Sequence, residues 1–442
     1  GREALECASV EARPFVHEGV AMNRSQDAAL GTGHLVALAT GGVIGLGVMS
    51  MPGIGIGIIG TGLWIAALVG LGFSVIALVP QLLLNSSGEH PGGQYQQLRD
   101  TVGRYVGGVG AYLLCFLVFD IAAYALSAAQ LLPVPPLVAR GVAILIIAVF
   151  VALHAWGARA ASAVQVLLIL LLAVVFGLYA GALIPHVQAR YLTQDVIIGS
   201  PTVFVFACLY MTFMMNGVAL VSNYAAAARA PRRTVPRAMI VSLLVVALAY
   251  VLLCVVDAGV LPIARVANQD ISVSARIAVP GNVMRAFTVG GSALALLTTL
   301  NAAIGWMVYP LHAACRDGWL PRELSGLSQR TGTPVRLLAV ILVAGVVPLI
   351  VGVSTTTVSS SVTILMLVLQ LALAAGAYRS LARDRMLPRV GCVAAIVVDV
   401  LVIAWLLYTM NTLLIAGNAL LLVVAGVGAR VRGKRLTSVP NA

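Results

Sequence analysis

Three acidic residues stand inside or at the edge of long apolar runs: Asp120 in CFLVFDIAAYALSAAQ, Asp399 in AAIVVDVLVIAW, and Asp257 near the end of a third run. A carboxylate at the centre of a membrane-spanning helix costs roughly 2.5 to 3.5 kcal/mol or more, so each needs a partner or a task. Asp120 lies about halfway along its run. It can serve as a proton-coupling carboxylate, as the partner of a substrate ammonium, or as a buried acid that hydrogen-bonds a neighbouring helix. Asp399 is about as deep, and a structural or subunit-interface role is expected for it. Asp257 is expected to reach water. A second kind of chemistry lies in GGVIGLGVMSMPGIGIGIIG (41–60), where eight glycines and a proline interrupt an apolar stretch. A glycine costs about 1 kcal/mol in a helix interior and a proline about 3. Gly41, Gly42, Gly45 and Gly47 predict an unwound segment whose backbone N–H groups could hold a carboxylate and whose carbonyls could hold an ammonium or cation. Close helix packing is the competing use of such glycines, and it is the expected one for Gly53, Gly57 and Gly60.

The elements that must position these groups follow from composition. The chain has 442 residues, 60% of them hydrophobic and 10% charged, with a mean hydropathy of +1.02. No ordinary soluble domain has these values. Runs of about 20 apolar residues predict twelve spans, at 34–58, 62–84, 106–132, 137–155, 161–183, 197–222, 236–260, 283–309, 335–353, 359–380, 390–409 and 411–429. The class is therefore an all-α membrane protein. With the N-terminus inside, all but five of the 27 basic residues fall in cytoplasmic segments, the asymmetry expected of a multi-pass protein of the cell membrane with both termini in the cytoplasm. The exceptions are Arg140, Arg190, Arg265, Arg276 and Arg285. The net charge of +12 is thus a topology signal; it favours contact with anionic lipid and implies no nucleic acid. Residues 1–30 and 431–442 read as cytoplasmic tails, with Met22 a natural start that leaves residues 1–21 either native or added.

Irregular backbone at membrane depth persists only where it lines a cavity or is buried in protein. A second break is expected five spans after the first, at Asn216-Gly217 in VFVFACLYMTFMMNGVALVSNY. Met49, Met51, Phe213, Met214 and Met215 would supply an apolar, adaptable wall. Thr298, Thr299 and Asn301 form a polar group that could hold an ion or bond between helices. No CxxC or HExxH spacing and no GxxxxGK[ST] loop occurs, so a metal centre, a cofactor and ATP-driven pumping are not implied. The six cysteines form no framework. No nucleophile and base set supports an enzyme.

Five stretches in order resemble the amino acid-polyamine-organocation (APC) superfamily: VIGLGVMSMPG (43–53), HPGGQYQQLRDTVGRYVGGVGAY (90–112), RAPRRTVPRAMIVSLLVVALAYVL (229–252), LNAAIGWMVYPLHAACRDGWLP (300–321) and RTGTPVRLLAV (330–340). The resemblance covers residues 30 to about 430 and is nearest to bacterial permeases and exporters of neutral amino acids. It implies two inverted five-helix repeats, about 34–183 and 197–380, with discontinuous helices 1 and 6 and peripheral helices 11 and 12 at about 390–429. It also implies alternating-access transport of amino acids, with a substrate site at Gly42, Gly45, Leu46, Gly47, Met49, Phe213, Met214, Asn216 and Gly217. Arg99, Asp100, Arg316 and Asp317 are expected at a cytoplasmic gate. The departures are Leu46 in place of a serine, Val218-Ala219 where a glutamate is usual, Leu172 near the place of a helix 5 lysine, and Tyr309 at an arginine position. They leave proton coupling through Asp120 or exchange as the expected drive, with sodium less favoured. A cationic amino acid or polyamine held by Asp120, a homodimer, and a non-transporting sensor that retains the fold are the further readings.

Overall fold

A computed structural model describes residues 30–45, 47–382 and 385–438. Leu46, which belongs to the expected substrate site, lies outside the described residues, as does the expected N-terminal tail up to residue 29. Among the described residues the chain is helical, with one isolated bridge between Leu30 and Ala228 and no strand. Ten helices are long and apolar enough to cross a membrane, and Val335–Val351 is a shorter apolar helix.

The glycine-rich stretch forms two short helices, α1 (Thr32–Val43) and α2 (Met51–Ile59). Pro52 sits in the first turn of α2, where its missing N–H is no loss. Between the helices the backbone closes tight turns, with Ser50 N–H donating to Gly47 O at 3.1 Å and Met51 N–H to the same oxygen at 2.7 Å. The interruption is therefore later than expected. Gly41 and Gly42 remain helical, and a Cβ on Gly41 would lie 2.0 Å from Gln165 Nε2. These two glycines serve close packing, and the non-helical backbone begins at Ile44.

After α3 (Leu63–Ser87) and the short α4 (Gly93–Thr101), the third predicted span runs as α5 (Arg104–Leu117) and α6 (Asp120–Ala129), joined by one tightened turn in which Val118 and Phe119 keep helical dihedrals. Three-residue hydrogen bonds at the junction, Val118 N–H to Cys115 O at 3.3 Å and Phe119 N–H to Phe116 O at 3.1 Å, tighten the chain just ahead of Asp120. That residue thus opens the first turn of α6, where the helix dipole favours an acidic group. Then come α7 (Pro136–Ala155), α8 (Ala158–Leu183), the short α9 (Ala189–Thr193) and α10 (Pro201–Met215). At Asn216 the α-helix gives way to a 3-10 helix, Asn216–Tyr224, at the expected second interruption.

The remainder comprises α11 (Pro231–Val260), two single-turn helices α12 (Ile263–Val266) and α13 (Ser272–Ala275), α14 (Gly281–Arg316), α15 (Val335–Val351), α16 (Thr355–Ala377), α17 (Met386–Thr409) and α18 (Thr412–Ser438). The last helix continues through most of the segment expected as a C-terminal tail. α1 packs against α8, α11, α14 and the 3-10 helix, while α3 packs against α10, α11 and α17. Of the ten long apolar helices among the described residues, the span containing α5 and α6 is the most enclosed and α18 the least, which places Asp120 in the interior and α18 at the rim.

Two backbone ties hold the interrupted elements together. Leu30 N–H donates to Ala227 O at 2.8 Å and Arg229 N–H to Leu30 O at 2.9 Å, fastening the start of α1 to the end of the 3-10 helix. Gln94 N–H donates to Asn223 Oδ1 at 2.8 Å, next to Gly93 at φ +56°, where a Cβ would meet Asn223 Oδ1 at 2.4 Å. Only glycine fits this approach of α4 to the 3-10 helix. At the opposite end of the bundle, Gly53 and Gly57 lie against residues 268–269 and Gly60 against Asp195, the close packing expected of them.

A candidate substrate cavity at two helix breaks

The two interruptions meet at one cavity of about 390 Å³, within the size range of small-molecule sites. Gly42, Val43, Gly45, Gly47 and Val48 form one side, and Phe213, Met214, Asn216, Gly217 and Leu220 another. α14 contributes Thr299, Ala303, Trp306 and Met307, α11 contributes Tyr250, and α16 contributes a face from Ser359 to Gln370. The last turn of a helix leaves carbonyls without intrahelical partners, and neighbouring hydroxyls supply them for α1. Thr299 Oγ1 lies 3.0 Å from Gly41 O and 3.4 Å from Ile44 O, and Tyr250 Oη lies 3.4 Å from Val43 O.

Asp120 is the one charged residue among the described lining residues. It is buried, and Ser359 Oγ donates to its Oδ1 at 2.6 Å, which links α6 to α16 across the cavity. Tyr124, one turn further along α6, also lines the space and interacts with the same carboxyl. Trp306, Tyr250 and Phe213 are further aromatic residues lining the same cavity.

Further along α16, Gln370 Nε2 donates at 3.2 Å both to Asn216 Oδ1 and to Asp399 Oδ1. Asp399 is fully buried on α17. It faces inward to α16, which fits the structural role expected for it rather than the alternative of a subunit interface. Asp257 is corrected: it is 1% exposed rather than in reach of water, and it accepts a short hydrogen bond from Ser274 Oγ on α13.

Of the residues expected at the substrate site, Gly42, Gly45, Gly47, Phe213, Met214, Asn216 and Gly217 border the cavity. Met49 does not; it is buried, and its carbonyl accepts from Ile271 N–H at 2.9 Å. The expected polar group separates. Thr299 borders the cavity, whereas Thr298 Oγ1 is turned to Ala295 O of its own helix. Asn301 instead ties three helices away from the cavity: its Nδ2 donates to Gln165 Oε1 at 2.7 Å and to Ala161 O at 3.0 Å, and its own carbonyl accepts from His154 Nε2 at 3.0 Å. Ser359, Gln370, Tyr124, Tyr250 and Trp306 are cavity residues that sequence reasoning missed. They lie in runs where no spacing distinguishes a cavity-facing polar group from one that bonds its own helix.

At the arginine-rich end of the bundle Arg99 Nη1 lies 2.6 Å from Asp317 Oδ2 and Arg99 Nε lies 2.8 Å from Asp100 Oδ1. Tyr95 Oη donates to the same Asp317 oxygen at 2.6 Å, so α4 is clasped to the end of α14. Burial and the Asp317 hydrogen bond hold the Tyr95 phenol above its ordinary range. Burial alone would raise the Asp100 carboxyl, but His90 and Arg99 together hold it below the ordinary carboxylate range. Three of the four expected gate residues meet here, and Arg316 is exposed outside the cluster.

Comparison with known proteins accords with this arrangement. Residues 30–432 match the amino acid permease family. An uncharacterized protein of Methanocaldococcus jannaschii is 24% identical over 296 residues, 65% of this chain and 68% of that protein. Cationic amino acid transporter 3, mitochondrial, of Arabidopsis thaliana is 29% identical over 158 residues, 36% of this chain but 24% of the plant protein. The family is one of transporters rather than enzymes, and an apolar, multi-helix fold with a cavity at two helix breaks is suited to that work. The chain is a multi-pass membrane protein of the amino acid permease family, within the APC superfamily.

Proposed function

We propose that the chain is a secondary active carrier that moves neutral, hydrophobic amino acids across the cell membrane by alternating access, with Asp120 as its proton-coupling carboxylate. The observation that carries this reading is the cavity at the junction of two interrupted helices, with one acid among otherwise uncharged walls. Backbone groups at Gly45, Gly47 and Gly217 would receive the substrate's carboxylate and ammonium, and Met214, Phe213 and Met307 would enclose an apolar side chain. Leu46 offers no hydroxyl, so helix 1 would hold the carboxylate by its backbone. In this reading α1 with α2 and the shorter α15 complete twelve spans arranged as two inverted repeats, with both termini in the cytoplasm. The Arg99–Asp317 clasp then closes the cytoplasmic side.

A second reading has its own support. A cavity that holds Asp120 and is also lined by Tyr124, Tyr250 and Trp306 suits a cationic side chain as well, since aromatic faces attract a desolvated cation. Counterflow in proteoliposomes with labelled leucine, methionine, arginine and putrescine, with and without an inward pH gradient, separates the two. Leucine or methionine counterflow stimulated by the gradient, and a loss of that stimulation in Asp120→Asn, is the expected result. Counterflow of arginine or putrescine alone would favour the second reading. Asp120→Asn with uptake and pH dependence intact would remove Asp120 from either role.

A further inference from the structure

Asp399, Gln370 and Asn216 come from three different helical elements, α17, α16 and the start of the 3-10 helix, and they form one chain of hydrogen bonds that ends at the cavity. The direction of the chain follows from Asp399 as a carboxylate. In that form it only accepts, so Gln370 turns an N–H toward it, and with its second N–H on Asn216 Oδ1 both of its donors are used. What Gln370 has left is its carbonyl oxygen. What Asn216 has left is the amino end of its amide, and Asn216 Nδ2 is buried without a hydrogen-bond partner. Such an orphaned donor is expensive unless some state of the protein gives it an acceptor.

We infer that Asp399 is a positioning residue for substrate: by anchoring Gln370, it sets the polarity of the cavity wall at the second helix break, so that Asn216 presents a donor and Gln370 an acceptor to the α-carboxylate and α-ammonium of an amino acid. This rests on the transport reading above and gives it a side-chain component that the glycine backbone lacks. It also assigns work to α17, a helix that the family resemblance implies is peripheral to the transport core. Asp399 itself touches no substrate and acts through Gln370.

Counterflow of labelled leucine by the full chain in proteoliposomes tests the chain of hydrogen bonds, with leucinamide, which lacks the carboxylate, and 4-methylpentanoate, which lacks the ammonium, as competitors. In Asp399→Asn the new side chain can donate, so the Gln370 amide is free to reverse; the expected result is a KM raised about tenfold with maximal rate little changed, the scale of one lost polar contact to a charged group. Discrimination of leucine from both competitors should narrow in parallel. A second variant separates positioning from packing. Asp399→Asn combined with Gln370→Glu reforms the connection in the opposite direction: the new amide on α17 donates to the new carboxylate on α16, and Asn216 Nδ2 donates to that same carboxylate. It should recover thermal stability while KM stays raised. A wild-type KM in Asp399→Asn, or recovery of KM together with stability in the double variant, would overturn the inference while leaving the transport reading intact. Wild-type protein that carries none of leucine, methionine, arginine or putrescine would overturn both.

Discussion

Replacing Gly42 with alanine tests how tightly the end of α1 is fitted to the cavity wall. A Cβ at this position would lie 2.0 Å from Trp306 Cζ2, 2.6 Å from its Cη2 and 3.1 Å from the Ala302 methyl. Contacts of 2.0 Å cannot be kept, so the indole or the helix must move. Trp306 is only 5% exposed, and the space open to it is the cavity it lines. Overpacking of this kind costs about 1 to 3 kcal/mol. Were all of it to fall on the substrate-bound state, KM would rise by roughly fivefold to 150-fold. The cost should be specific to the six-membered ring of the indole. In Trp306→Phe those two atoms are gone, so the Gly42→Ala, Trp306→Phe pair should be less damaging than the sum of its parts by about 1 kcal/mol or more, a typical coupling for groups in contact. Thermal unfolding in detergent reads the stability component, and leucine counterflow reads the cavity component. Strict additivity of the two substitutions in both assays would refute the fit.

Two further outcomes concern the arginine-rich end. Arg99→Ala and Asp317→Asn should each loosen the clasp between α4 and α14, and in combination should cost no more than the larger of the two. A half-exposed, charge-assisted pair supports a coupling of about 1 kcal/mol, measured by the labelling rate of a cysteine placed at Met307 with an impermeant thiol reagent from each side of the membrane. Equal labelling in wild type and variant from both sides would count against a gate. The pH dependence follows from Asp100. Its carboxyl is held below the unfolded value of about 3.9, so its stabilising contribution is complete above that value and disappears as pH falls through the lower folded value. Melting temperature should therefore fall below about pH 4, and Asp100→Asn should flatten that part of the profile; an unchanged acid limb would remove Asp100 from the account.

The helices are legible in the sequence because the hydrocarbon core excludes charge, and an uncharged run about 20 residues long suits little besides a membrane span. Asp120 is legible for the same reason, as a costly residue in such a run. The break at Asn216 can be expected from its glycine neighbour, but the tightened turn between α5 and α6 cannot, because Val118 and Phe119 are ordinary helix residues. Gly41 and Gly42 mislead because a glycine serves unwinding and close approach equally well; the indole of Trp306 and the amide of Gln165 decide between them. Ser359 is hidden among the hydroxyl residues that open α16, and Gln370 is a lone amide in its apolar half whose partners the sequence does not show. Asp399 stands out as a buried acid but its surroundings do not, since its meaning depends on a glutamine 29 residues away on another helix.

The 3-10 helix has a mechanical property that its hydrogen bonds alone do not express. Its nine residues advance about 2.0 Å each, against about 1.5 Å in an α-helix. The segment is thus an extended spring, longer by about 4.5 Å than the α-helix of the same sequence, close to one helical turn. One end of that spring is Asn216 at the cavity, and the other is tied through Asn223 to α4 and through Ala227 to Leu30. Any shift in its coiling changes the distance between the cavity wall and those anchors without altering a covalent bond.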